Sequence, residues 1–265
     1  MKTRADSALV ARGLAPSREK AQALILAGRV YVDEVRVDKP SQPVQETDNL
    51  LLRGGEQAWA SRGAYKLEKA LEVFSVDVTG LVALDVGAAA GGFTDVLLRA
   101  GARHVYAIDV GYGQLDWRIR QDERVTVMER TNARALTPAN FALKPALAVM
   151  DVSFISIRLI LPALFGILGE TGRVISLVKP QFEAGRGLVG KHGVVREAGT
   201  HVQVLRGIRD FLMDTGWRLQ GLDYSPITGP KGNIEFLADI RPGSQEPLGD
   251  EFIAGLVEAA HRDLA

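Results

Sequence analysis

The 265-residue sequence predicts an α/β protein: a mostly parallel, helix-covered sheet of seven strands with one late antiparallel hairpin, preceded by a small α+β domain. Three observations predict it. From Ser61 onward, apolar runs of strand length alternate with helical segments, the pattern of strands buried on both faces in a parallel sheet. The last two runs, "WRLQGLDYS" and "NIEFLADI", are joined by "PITGPKG" (Pro226 to Gly232), too short for a helical crossover, so they pair antiparallel. Before about Gly55 the texture differs, with two short helical patterns and then β-type alternation.

In chain order, Asp6 is placed to cap a helix carrying Leu9, Val10 and Leu14. Ser17 caps "REKAQALILAG", with Ala21, Leu24 and Ile25 on one face and Gly28 at its stop. "RVYVDEVRV" alternates and predicts a hairpin. This first domain spans 1–55, and a short linker (56–60) leads to the main domain, 61–241. There the strands are "LVALDVG", "HVYAIDV", "RVTVMER", "PALAVMDV" and "GRVISLVKP", then the hairpin pair. "LILPALFGIL", Leu159 to Leu168, reads as a buried amphipathic helix broken by Pro162. It is far short of the roughly 20 apolar residues of a membrane span. Residues 242–265 hold a linker, "RPGSQEPLGD", and a short helix expected to pack on the main domain.

Composition narrows the classes. The chain has no cysteine, which excludes disulfides, thiolate nucleophiles and sulfur-ligated zinc, and fits a reducing cytoplasm. Residues 1–10 carry Lys2, Arg4 and Asp6 with no apolar core, so no signal peptide is expected. The formal net charge is +0, so nucleic-acid binding would have to come from local basic patches.

"LDVGAAAGGFTDVLLRAGARHVYAIDV" (Leu84 to Val110) carries the cofactor signal. Asp85 ends one strand, Gly87 opens the turn, Gly91 and Gly92 let backbone approach a ligand, and Asp109 ends the next strand. A tight βα turn with no ligand is the plain alternative. A dinucleotide site asks for G-x-G-x-x-G, which is missing. An acid at Asp85 suits a cationic, phosphate-free ligand better than a pyrophosphate, which favours S-adenosylmethionine over NAD.

Three more strand ends carry charge: Asp151, Lys179 and Glu235, the last just inside its strand. Charge in apolar context is costly unless paired, so an ion pair at the sheet rim is the competing explanation. A lysine among carboxylates beside a methyl donor suits methyl transfer to a weakly acidic hydroxyl, with Asp151 and Glu235 positioning the cation and organising water.

The words "ALVARGLAPSREKAQALILAG", "SRGAYKL", "LDVGAAAGGFTD", "YAIDVGYGQLDW", "ERTNAR", "DVSFIS", "LVKPQFEAGR", "KHGVVRE" and "GNIEF" occur in this order from Arg4 to about Ile240. In them the chain resembles the TlyA-type bacterial ribosomal RNA 2′-O-methyltransferases. That resemblance implies an S4-like RNA-binding domain joined to a Rossmann-like, FtsJ-type methyltransferase domain. It implies methylation of a ribose 2′-hydroxyl, that of a cytidine, using S-adenosylmethionine.

The family's Lys-Asp-Lys-Glu tetrad falls on Lys66, Asp151, Lys179 and Glu235. Helical spacing leaves Lys66 and Lys69 equivalent, and the match to "SRGAYK" selects Lys66. The implied cofactor residues are Asp85, Gly87, Ala88, Gly91, Gly92, Phe93, Asp109, Val110 and Asn132. Two departures stand out: alanines fill the turn where small hydroxylated residues are common, and Glu34 stands where the first-domain hairpin expects a glycine. Whether Lys179 takes the proton or only orients the hydroxyl stays open.

Residues 1–31 hold six basic against two acidic side chains, net +4, and Arg18 and Lys20 lie at a helix start that suits a phosphate. A solvated charged face is the alternative; the S4-like pattern favours RNA. Arg4, Arg18, Lys20 and Lys39 are the expected RNA contacts, with Arg62, Lys66, Arg186 and Lys191 extending the patch toward the active site. Ribosomal RNA or its subunits are the expected partner. His192 has no acidic or histidine cluster beside it, so no metal site is expected. Relatives of this family are often labelled haemolysins, but no spanning or strongly cationic amphipathic segment supports membrane activity. An S4-like domain also precedes pseudouridine synthases, whose "GRLD"-type stretch is missing. A protein that binds RNA and cofactor without catalysis is the remaining alternative, and the intact tetrad speaks against it.

Overall fold

The computed structural model describes residues 2–26, 28–33, 35–45, 47–52, 59–229 and 231–264, with the side chains of Lys2, Arg186 and Lys191 left aside. The expected departure at Glu34 and the first part of the 56–60 linker therefore lie outside the described residues. Contacts divide the chain into two compact units, Met1–Ala58 and Trp59–Ala265.

In the first unit, β1 (Lys2–Arg4) pairs antiparallel with β4 (Pro43–Gln45). Helices α1 (Ala5–Ala11) and α2 (Arg18–Leu26) pack beside a three-stranded sheet, β3-β2-β5, made of β2 (Val30–Val32), β3 (Val35–Arg36) and β5 (Leu50–Leu52). Leu9, Ala21, Ile25, Val30, Val37 and Leu50 form its core. The hairpin exists, with Val32 opposite Val35. Ser17 caps α2: its hydroxyl accepts the Lys20 N–H at 3.2 Å. Asp6 is not a cap. The N-cap of α1 is Arg4, and Leu14 lies beyond the helix. Asp6 sits in the first turn, fully buried, and its carboxylate accepts from Arg4 (2.9 Å), Arg18 (3.3 Å) and Gln22 (3.0 Å). These donors, Arg4 above all, hold it well below the usual carboxylate range.

The second unit contains all seven expected strands: β6 (Val82–Val86), β7 (His104–Ile108), β8 (Val125–Met128), β9 (Leu147–Met150), β10 (Arg173–Val178), β11 (Trp217–Tyr224) and β12 (Phe236–Pro242). Between them lie α4 (Gly92–Arg99), α5 (Trp117–Arg120), α6 (Leu161–Leu168), α7 (Pro180–Glu183) and α8 (Ala198–Met213). Helix α3 (Ala64–Val73) precedes the sheet and α9 (Asp250–Leu264) follows it. Strand order is β11-β12-β10-β9-β6-β7-β8. β12 runs antiparallel to both β11 and β10, so the hairpin folds back and inserts its second strand beside the parallel set.

Side chains alternate between the two faces with the period of a strand. Val82, Leu84 and Val86 pack with Met150, Leu161 and Phe236, while Ala83 packs on the other face with Leu67, Leu97 and Val149. Pro162 lies in the first turn of α6 and opens that helix rather than breaking it. Among the described residues no helix is long and apolar enough to cross a membrane. Helix α9 packs on α8 and β11. Strand order reverses between β6 and its neighbours β7 and β9, and beyond the carboxyl ends of those strands lies the crevice where such sheets hold ligands.

Candidate active site

The turn after β6 is built from glycines with individual reasons. Gly87 has φ +87°, and a Cβ there would stand 2.6 Å from the Asp151 carbonyl oxygen. Gly91 has φ +91°, and its Cβ would meet the Ile119 side chain at 2.6 Å. At Gly92 a Cβ would meet the Ser61 hydroxyl at 2.2 Å. Gly91 and Gly92 are therefore packed closely within the protein, and Gly92 also borders the second cavity described below.

Asp85 also departs from its expected part. It lies inside β6, wholly buried beneath the turn, and borders none of the cavities described below. The Thr94 hydroxyl donates to its Oδ2 at 2.6 Å, and Oδ1 has no partner. Burial pushes its carboxyl up to about 7, against the Thr94 hydrogen bond and with help from the charges of Asp151 and Asp109.

Asp109, one residue past β7, ties two turns together: Oδ2 accepts the Ala89 N–H at 2.9 Å and Oδ1 the Gly111 N–H at 2.6 Å. Each oxygen keeps a second lone pair. It borders a cavity of about 310 Å³ together with Val86, Gly87, Ala89, Val110, Gln114, Asn132, Asp151, Ser153, Phe154 and Ile155. Its lining is largely apolar, with two carboxylates and no lysine or arginine. Asn132 uses its side-chain oxygen to cap a short turn, accepting the Arg134 N–H at 3.1 Å. A second cavity of about 170 Å³ shares the wall formed by Gly87, Ala89, Asp151 and Ser153, and adds Ser61, Ala88, Gly92, Phe93 and Lys179.

The four tetrad positions come together as one buried chain of charges. Lys66 Nζ, from the first turn of α3, lies 2.5 Å from Glu235 Oε2 and 3.8 Å from Asp151 Oδ2. Lys179 Nζ lies 2.5 Å from Asp151 Oδ1 and 3.0 Å from the Ser153 hydroxyl. Lys66, Lys179 and Glu235 are 7 %, 9 % and 1 % exposed. Glu235 immediately precedes β12 rather than lying inside it. Lys69, the alternative at helical spacing, is elsewhere: it pairs with Asp223 at 3.1 Å and donates to the Tyr224 carbonyl at 2.7 Å. Because Lys66 is buried within this row of charges, it cannot extend a surface patch, contrary to the expectation from the sequence.

Ser153, Ser61 and Gln114 border the cavities without having been singled out from the sequence. Their polarity is ordinary and nothing in their spacing marks them. Phe154 was missed too: it has φ +65° and is 91 % exposed at the mouth. It also borders a wider groove, about 790 Å³, with Arg134, Leu159, Gln181 and Phe182.

Of the expected RNA contacts, Lys20 and Lys39 are exposed in the first unit and Arg62 in the second, while Arg4 and Arg18 share their charge with Asp6. The side chains of Arg186 and Lys191 lie outside the described residues. Among the described residues no group of three His, Asp or Glu side chains is placed to hold a metal ion.

The chain matches known protein families over both units. Residues 59–240 match the FtsJ-like methyltransferase family and residues 3–50 match the S4 domain. The chain is 44 % identical, over all of its length and 98 % of the relative's, to the 16S/23S rRNA (cytidine-2′-O)-methyltransferase TlyA of Mycobacterium tuberculosis. It is 41 % identical to Hemolysin A of Brachyspira hyodysenteriae, over 89 % of this chain and 98 % of that one. A solved structure from Streptococcus thermophilus, provisionally described as a hemolysin, superposes with a TM-score of 0.77 at 45 % identity, covering 99 % of this chain and 96 % of that one. The chain thus belongs to the FtsJ-like methyltransferases and carries an S4 domain ahead of its catalytic fold.

Proposed function

We propose that this protein transfers a methyl group from S-adenosylmethionine to the 2′-hydroxyl of a cytidine in ribosomal RNA. The observation that carries the reading is the buried chain Glu235–Lys66–Asp151–Lys179, which reaches the wall shared by the two cavities. The relative named as a 16S/23S rRNA (cytidine-2′-O)-methyltransferase supports the choice of substrate.

The larger cavity fits the cofactor by its chemistry. A pocket with two carboxylates and no basic lining residue suits a cationic, phosphate-free molecule and would repel a pyrophosphate. Asp109 has lone pairs left for ribose hydroxyls, Val110 and Ile155 offer apolar wall to a heterocycle, and the Asn132 amide N–H₂ has no partner among the described residues. Gly87, Ala88, Gly92 and Phe93 shape the passage to the second cavity, while Asp85 and Gly91 hold the turn from behind. When bound, S-adenosylmethionine supplies an electrophilic methyl group on a sulfonium.

The chain's own residues then handle an acceptor that is a weak acid. Lys179 faces the 2′-oxygen: it accepts the proton, or holds the oxygen while water takes it. The O–H bond breaks as the O–C bond forms, and the C–S electron pair stays with sulfur. Asp151 fixes Lys179, Lys66 compensates Asp151, and Glu235 compensates Lys66. Holding acceptor and donor in line supplies most of the acceleration. Arg4, Arg18, Lys20 and Lys39 grip RNA phosphates from the S4 domain, and Arg62, Arg186 and Lys191 do so from the catalytic unit. Work on ribosomal RNA makes the cytoplasm its place.

The test is Lys179→Ala, assayed with labelled cofactor on ribosomal subunits. Methyl transfer should fall by at least about a hundredfold, with cofactor affinity by calorimetry unchanged within about twofold. An active variant would overturn the assignment.

A further inference from the structure

Beyond the tetrad, we propose that Ser153 is a positioning residue for the transfer step: its hydroxyl sets the rotation of the Lys179 nitrogen about its Cε–Nζ bond and so fixes which vertex faces the acceptor oxygen. The proposal rests on the methyl-transfer reading above and adds a residue to it.

A lysine nitrogen is tetrahedral, with Cε at one vertex and three left over. One of those three makes a hydrogen bond, to Ser153 Oγ at 3.0 Å; Asp151 Oδ1, at 2.5 Å, is an ion-pair contact outside hydrogen-bond geometry and gives the nitrogen no preferred direction. No other hydrogen-bond partner of Lys179 is present among the described residues, and Lys179 borders the smaller cavity. The ion pair alone would leave the nitrogen free to rotate about its Cε–Nζ bond. The directed hydrogen bond to Ser153 stops that rotation and fixes the other two vertices, leaving one committed to the cavity. The conclusion holds for either protonation state. On a neutral amine the committed vertex is the lone pair that accepts the hydroxyl proton; on an ammonium it is the N–H that orients the oxygen.

The backbone explains why Ser153 can do this. The Asp151 N–H donates to the Val86 carbonyl at 3.0 Å, which pins the start of the segment to the end of β6. Phe154, at φ +65°, turns the chain sharply immediately afterwards. Ser153 is held between those two points, on the wall that both cavities share. A serine is also the smallest side chain that offers an oxygen there.

The test compares kcat, KM for ribosomal RNA and cofactor affinity in Ser153→Ala, Ser153→Thr and Ser153→Val. Thr and Val have nearly the same shape, and only Thr keeps the hydroxyl. Ser153→Ala and Ser153→Val should lose on the order of tenfold in kcat, a part of the 10²–10⁴ that an oriented acid–base group contributes. KM and cofactor affinity should stay within about twofold of the wild type, and Ser153→Thr should recover most of kcat. Equal rates in Ser153→Thr and Ser153→Val would overturn the proposal. So would a Ser153→Ala enzyme with wild-type kcat, or a loss confined to KM. Wild-type protein without methyl transfer would instead overturn the reading on which the proposal rests.

Discussion

Glu235 and Lys66 illustrate how much this site asks of single residues. Both are nearly inaccessible to solvent, and their charged atoms lie 2.5 Å apart. Removing one partner from a buried pair leaves the other charge desolvated and uncompensated. Glu235→Ala should therefore lower unfolding free energy by about 3 kcal/mol, read from urea denaturation, as well as methyl transfer. A loss typical of surface pairs, below about 1 kcal/mol, would show that Lys66 finds another partner. Gly91→Ala should cost about 1–3 kcal/mol from its positive φ and the collision with Ile119, measured the same way. The residues with charge at strand ends were legible because charge in apolar runs is conspicuous. The reasons for the glycines were not, since Ser61, Ile119 and the Asp151 carbonyl reach the turn from distant segments. Asp85 misled for a related reason: position within a strand does not reveal depth.

At the scale of elements, the apolar runs marked every strand of the main sheet, and the short connection marked the hairpin. The insertion of β12 between β10 and β11 was hidden, because strand neighbours are set by non-local pairing. That the C-terminal helix packs on the main domain was expected, but its partner α8 was hidden, and the contact between them is pH-sensitive. His201 of α8 is fully buried, its Nδ1 lies 2.9 Å from His261 Nε2 of α9, and its ring meets Phe236 edge-on. Burial first, and the neighbouring His261 second, lower His201 to about 4 from its ordinary 6.5. The unfolded chain thus takes up a proton near pH 6.5 that the folded chain refuses until about pH 4. Stability is full above that window and falls as pH drops through it. The melting temperature should decline between pH 7 and 5 more steeply in the wild type than in His201→Phe. Identical slopes would contradict this.

The whole molecule joins two units with different tasks, and residues 59–265 contain every residue of the candidate site. Expressed alone, that unit should bind S-adenosylmethionine with wild-type affinity by calorimetry yet fail to methylate ribosomal subunits. Full activity without residues 1–58 would show that the S4 domain is not the grip on RNA. The two-part organisation was legible in the change of texture near residue 60, and the chemistry was legible in four charged residues and a family likeness. The neutral residues that aim those charges needed the fold. The central claim is 2′-O-methylation, and the direct measurement is to incubate unmodified ribosomal subunits with the protein and labelled S-adenosylmethionine, then map the label by nuclease digestion and mass spectrometry. The expected result is label in a 2′-O-methylcytidine of ribosomal RNA, lost with Lys179→Ala. Label on a base, or no transfer from a protein that binds both cofactor and RNA, would contradict the account.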